Sequence, residues 1–205
     1  MRAKRGVGSL VLVPLVLGAA MLGVGAPTAG AVSLDKVTGG ESGLFVPLSN
    51  VRKFGLKGIF TSPISPAYLT FTLEEGPAVR FPINGGTVES STMLGTVNHA
   101  GGLNIQKQQG PTGTIVKQLD VTNLKIVNGN QLIGNAFGLV PSPTADLINA
   151  SHSKNRATGV IHFEADAQIN LVTATVLNTY FETDAFEAGM ILGRLKADIQ
   201  TKPVL

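Results

Sequence analysis

The chain has 205 residues, 16 of them basic and 13 acidic, with no cysteine, no tryptophan and only two tyrosines, Tyr68 and Tyr180. The lack of cysteine excludes disulfide staples, thiolate metal sites and cysteine nucleophiles. The formal charge of +3 is no sign of a nucleic-acid binder, because three cations sit in the first five residues.

Met1 to Arg5 is basic, Gly6 to Gly25 is apolar apart from Ser9, and the stretch from Ala26 to Ser33 is rich in small residues. A charged start, an apolar run and a small-x-small site make a secretory signal peptide. Ala29 and Ala31 suit the small subsites of a signal peptidase, so residues 1–31 are expected to be removed. The alternative is an uncleaved anchor, since about 20 apolar residues just span a bilayer. Against it, Pro14 and the glycines of the segment weaken a permanent helix. Without Arg2, Lys4 and Arg5, 13 basic residues face 13 acidic ones. Residues 32–205 are then a neutral single domain with no basic stripe for phosphates, and no membrane span is expected after cleavage. The expected location is secreted, or the extracellular side of the cell envelope.

In chain order, Leu44–Leu48 reads as a strand. Ser49–Lys53 reads as a short helix stopped by Gly55. Tyr68–Leu73 is a strand, and Val79, Phe81 and Ile83 alternate in another that ends at a Gly85-Gly86 turn. Gly95 to Ile105 reads as a β-hairpin, with Val97 and His99 on one arm, Ala100-Gly101-Gly102 as its loop, and Leu103 and Ile105 on the return. Strands follow at Thr114–Val127 with a break, Gln131–Leu139 and Leu147–Ala150. Ser151 to Arg156 reads as a polar turn. In Ile161–Ile169, Ile161, Phe163, Ala165, Ala167 and Ile169 share one face, and His162, Glu164, Asp166 and Gln168 the other. Thr173 or a neighbour caps a helix through Phe181, and Thr183 or Asp184 caps one more turn up to Gly189. Ile191–Ile199 alternates again. The fold expected is all-β: an antiparallel β-sandwich or flattened barrel with two or three short helices.

No catalytic set can be assembled from these residues, and an enzyme is not expected. There is no Gly-x-Ser-x-Gly elbow, no phosphate-cradling glycine loop, and no histidine pair at zinc-protease spacing. His162, Glu164 and Asp166 can gather a cation or form a solvated strand face. Glu74-Glu75 has no second carboxylate placed opposite it. His152 reads as an exposed turn residue. Asn149-Ala150-Ser151 is an acceptor-type triplet for glycosylation. His99 is the one candidate ligand-binding residue. It ends an inward-reading strand beside glycines that let a flat ligand approach, and imidazole ligates haem iron. A backbone carbonyl can equally satisfy such a ring.

Phe81-Pro82-Ile83-Asn84-Gly85-Gly86, then Leu94 to Leu103 with His99-Ala100-Gly101-Gly102-Leu103, resembles secreted bacterial domains of the HtaA type. Leu177-Asn178-Thr179-Tyr180-Phe181 and Phe186-Glu187-Ala188-Gly189 through Gly193 resemble their ending, and Val37 to Leu44 more weakly their opening. The resemblance implies an extracellular β domain. In the family it implies haem as a possible cofactor, held by a tyrosine on the iron with a histidine assisting. His99 matches the histidine. The tyrosine, carried near the domain's beginning, is not matched: that region offers Phe45, Phe54 and Phe60. The expectation is therefore an exported HtaA-like domain with a non-catalytic binding or interaction role. The alternative is a haem-binding module using His99, its partner a small planar or apolar ligand.

Overall fold

The computed structural model describes residues 34–110, 112–136 and 141–203. The expected signal segment, its cleavage site, and Phe137 to Leu139 of an expected strand lie outside the described residues. The described chain runs β1 (Asp35–Phe45), α1 (Leu48–Leu56), β2 (Ile59–Ile64), β3 (Tyr68–Thr72), β4 (Gly76–Val88), β5 (Gly95–His99) and β6 (Gly102–Gln109). It continues as β7 (Thr114–Val127), β8 (Gln131–Ala136), β9 (Ser142–Asn155), β10 (Val160–Gln168), α2 (Leu171–Phe181) and β11 (Ile191–Pro203).

Eight strands in the order β7-β5-β4-β1-β11-β10-β9-β8 form an antiparallel barrel, closed by pairing of β8 with β7. The first half of β7 leaves the barrel and carries β6 and then β2. β3 pairs with the first half of β4. Of the two shapes expected, the flattened barrel is the one adopted, with two helices.

The two-residue period sets the register. Ile161 lies opposite Ile199, Phe163 opposite Ala197 and Ala165 opposite Leu195, all buried. Large beside small fills the interior without voids. Each large side chain here contributes roughly 1.5–3 kcal/mol by burial, so a one-residue slip that turned them to water would cost far more than a pair of hydrogen bonds.

Two glycine pairs expected as turns are bends within strands. β4 runs straight through Gly85-Gly86, with a register shift between Ile83 and Gly85 against β5. Gly86 holds φ +127°, and a Cβ there would lie 2.0 Å from the Thr96 carbonyl oxygen. This is a bulge where the barrel wall turns a corner. The hairpin expected across residues 95–105 does not form. β5 and β6 never pair with each other; both pair with β7, β5 through residues 125–127 and β6 through residues 114–122. They are one long path with a kink at Ala100-Gly101, which the alternation alone could not tell from a reversal.

Other expectations shift in detail. Ser151 to Asn155 is not a turn but the end of β9, paired with β10. α2 is capped by Asn170, whose side chain accepts from the Thr173 N–H at 2.9 Å, not by Thr173. Residues 183–189 form no helix. There, Asn178 grips the Phe186 backbone from both sides, donating to its carbonyl at 2.7 Å and accepting from its N–H at 3.1 Å. That seats Phe186 between Phe54 of α1 and Phe181 of α2, with ring centroids 5.3 and 6.4 Å away. Lys107 and Lys117 reach from β6 and β7 to the carbonyls of Phe181, Glu182 and Tyr180 at 2.7–2.8 Å, satisfying the last turn of α2 and its negative dipole end.

Candidate functional site

His99 lies where two strands break together. Opposite the kink at Ala100-Gly101, β7 carries Asn123 at φ +51°, and pairing is lost between Thr122 and Lys125. The Leu124 carbonyl thereby loses its place in the ladder, and His99 Nδ1 takes that partner at 3.1 Å. A carbonyl can only accept, so Nδ1 carries the proton and Nε2 is left as an acceptor. The Ser42 hydroxyl of β1 donates to it at 2.8 Å. Ser42 is wholly buried and His99 is 5% exposed. The Phe81 ring stands edge-on to the imidazole at 6.3 Å. Burial pushes the His99 pKa down to about 4, the Leu124 contact opposing it only in part. At neutral pH the ring is an uncharged crosslink between β5, β7 and β1.

Sequence reasoning picked out His99 and missed its partner. The signal was present: Ser42 occupies an inward position of β1, opposite Ala197 and Phe81, where every alternation rule expects an apolar side chain.

Successive residues of a strand face opposite ways. Glu41 therefore lies on the outer wall when Ser42 points inside. Tyr68 is bonded to Glu41 on that outer wall and is separated from His99 by the sheet. The Tyr180 phenol donates to the Gln118 carbonyl at 2.6 Å. Of the phenylalanines that stand near the domain's beginning, Phe54 packs on Phe186. Phe45 is covered by Arg80 and Lys196, with cation-to-centroid distances of 4.8 and 5.5 Å. Phe60 is half-exposed on β2.

The remaining candidates share the outer wall of β1, β11 and β10 as a lattice of paired charges. His162 Nδ1 meets Asp198 at 2.7 Å, Glu164 meets Arg194 at 2.6 Å, and the Asn149 amide donates to Asp166 at 2.9 Å. Glu75 pairs with Lys196. His152 donates to the Ser91 carbonyl at 2.9 Å. Two shallow open depressions of about 670 and 320 Å³ lie on this wall, and Glu41, His162 and Asp198 line both. Such pairs between exposed side chains are individually worth at most about 1 kcal/mol. They make a solvated face. Among the described residues no helix is long and apolar enough to cross a membrane.

No protein-family model matches the sequence, and no curated protein matches it significantly. Solved structures do match. The fold is similar to the C-terminal domain of HtaA from Corynebacterium glutamicum, at 16% identity and a TM-score of 0.57, over 82% of this chain and 99% of that one. It is also similar to the heme binding protein HtaB from the same organism, at 12% identity and a TM-score of 0.55, over 83% of this chain and 96% of that one. This chain has the HtaA-domain fold. The short motifs around His99 and Phe186 thus marked a real architecture, at identities too low to carry a site across with the fold. In the HtaA-fold frame His99 stands inside the wall, bound on both sides to its own chain.

Proposed function

We propose that the chain is an exported, non-catalytic binding or interaction domain of the HtaA fold, in which His99 holds the barrel wall together and offers no ring nitrogen to a ligand. The observation that carries this reading is the pair of bonds that engages both nitrogens, to Ser42 and to the Leu124 carbonyl, in a buried setting. Freeing Nε2 for iron would leave the Ser42 hydroxyl without a partner in an apolar interior, at about 1–3 kcal/mol. Export is supported by the charged, apolar and small-residue order of the first 31 residues.

A second reading is a haem-binding module, favoured by the name of the HtaB neighbour. The residues present do not fit that group at His99. Its nitrogens are occupied, the region where the early tyrosine is expected offers only phenylalanines as aromatic side chains, which have no atom to bind iron, and Tyr68 lies beyond the sheet with its hydroxyl on Glu41. Titrating the purified domain with haemin separates the two readings. The expected result is no Soret shift that depends on His99. A saturable shift at equimolar haemin, lost in a folded His99→Ala variant, would establish the second reading and end the first.

A further inference from the structure

A closed barrel leaves few strand edges, and among the described residues several of those are guarded. The outer half of β9, residues 151–155, pairs on one side only, with β10. It carries His152 and Lys154, both tied to the loop that follows β4, through Ser91 and Ser90. The early half of β7 is met by α2, with the Tyr180 hydroxyl on the Gln118 carbonyl. β2, which pairs with β6 alone, contains Pro63. Charge, cover and proline are the usual means of blocking an edge.

β3 has none of them. It pairs with β4 alone among the described residues, and its sequence Tyr-Leu-Thr-Phe-Thr holds neither charge nor proline. Leu69 is 56% exposed, Phe71 64% and Leu73 96%. The strand is also self-complementary. Run antiparallel to a copy of itself about Thr70, it places Leu69 opposite Phe71 and Tyr68 opposite Thr72. Leu69 and Phe71 of both copies then make one apolar row, with Leu73 just beyond each strand end. Aromatic–aliphatic neighbours are among the favoured cross-strand pairs. The nearest charge, Glu74, falls opposite Pro66, so no like charges meet.

We propose that β3 is the docking edge of this domain and that its occupant is β3 of a second copy, joined antiparallel about a two-fold axis at Thr70. The two sheets become continuous across the dimer, and the exposed row of leucine and phenylalanine is buried in it. This holds whether or not the barrel binds a ligand, since nothing in it involves His99.

The lack of any native cysteine makes the register directly testable. Directly opposed residues in an antiparallel pair have Cα atoms about 4.5–5.5 Å apart, within disulfide reach. In the full chain, Thr70→Cys is expected to give a disulfide-linked dimer under mild oxidation. Leu69→Cys alone is expected to give little, and Leu69→Cys mixed with Phe71→Cys a linked heterodimer. In sedimentation equilibrium without crosslinking, Phe71→Lys is expected to weaken the dimer by roughly tenfold or more while leaving the circular dichroism of the barrel unchanged. A wild-type chain that stays monomeric up to about 100 µM overturns the proposal, because an edge that weak specifies no partner. So does Thr70→Cys that crosslinks no better than Leu69→Cys, including the case where the edge pairs with some other strand.

Discussion

Between pH 6.5 and pH 4 the protein is expected to lose about 3 kcal/mol of folding stability through one residue, His99, whose pKa falls from 6.5 in an open chain to about 4 in the fold. The sign follows from which state takes up the proton. The buried ring stays neutral until pH 4, whereas the unfolded chain protonates from pH 6.5 downward. In that window the unfolded state binds more protons, so stability falls as pH falls. Above pH 6.5 and below pH 4 both states carry the same charge at this position and its contribution is flat. Urea unfolding followed at half-unit pH steps would show the slope. Lowered carboxyls act in the same direction but further down the pH scale: Glu89, held down from 4.5 to about 2 by the Ser91 and Thr92 side chains, gives up its contribution as pH falls from 4.5. Lys154 beside Asp35 holds that carboxyl below its ordinary 3.8, so the stability from this pair is present above that value and is lost only at lower pH. In His99→Ala the slope between pH 6.5 and about 5 should vanish. At pH 7 the same variant should be less stable by about 3 kcal/mol, because a cavity opens and the Leu124 carbonyl and Ser42 hydroxyl lose their partner. A wild-type profile that is level from pH 7 to pH 4.5 would refute the burial of an uncharged ring at this place.

Gly101→Ala is expected to cost at least about 3 kcal/mol. The residue holds φ +81°, and an added Cβ would stand 2.5 Å from the Ile64 carbonyl oxygen and 2.6 Å from the Ala67 nitrogen. Both are backbone atoms, so no side chain can swing aside. The segment from β2 to β3 would have to lift away from the kink that positions His99. The opposite sign is expected at Gly55, near the end of α1, where a Cβ meets nothing within 4 Å. Gly55→Ala should raise stability by about 0.5–1 kcal/mol by narrowing the unfolded ensemble. Thermal unfolding of the two variants side by side decides the matter. A Gly101→Ala protein as stable as wild type would mean that β5 and β6 are not joined by this kink.

The alternating strands were legible from the sequence because their period is a direct record of which side is dry. Ile161–Ile169 and Ile191–Ile199 needed no partner to be recognised. What could not be read was connectivity. A glycine pair permits a reversal, a bulge or a kink alike, since all three require only a backbone freed of Cβ. The choice rests on which strand arrives alongside, and β7 lies up to 31 residues beyond the residues of β5 it joins, Val127 against Thr96. The same reason hid Ser42: it precedes the strand expected at Leu44–Leu48, and the imidazole that answers it is 57 residues away. Asn170 was passed over as a cap in favour of Thr173 because both residue types start helices, and only the backbone angle at Asn170 distinguishes them.

The first and last strands lie side by side in the middle of the wall, Leu44 against Leu195 and Gly40 against Ile199. β11 follows the other seven barrel strands in the chain, so until a ribosome has delivered it the nascent chain holds a staved cask with one plank missing, its oily lining open on both sides of the gap. The barrel can close only once β11 has emerged, and until then a chaperone that recognises greasy extended segments has a ready client.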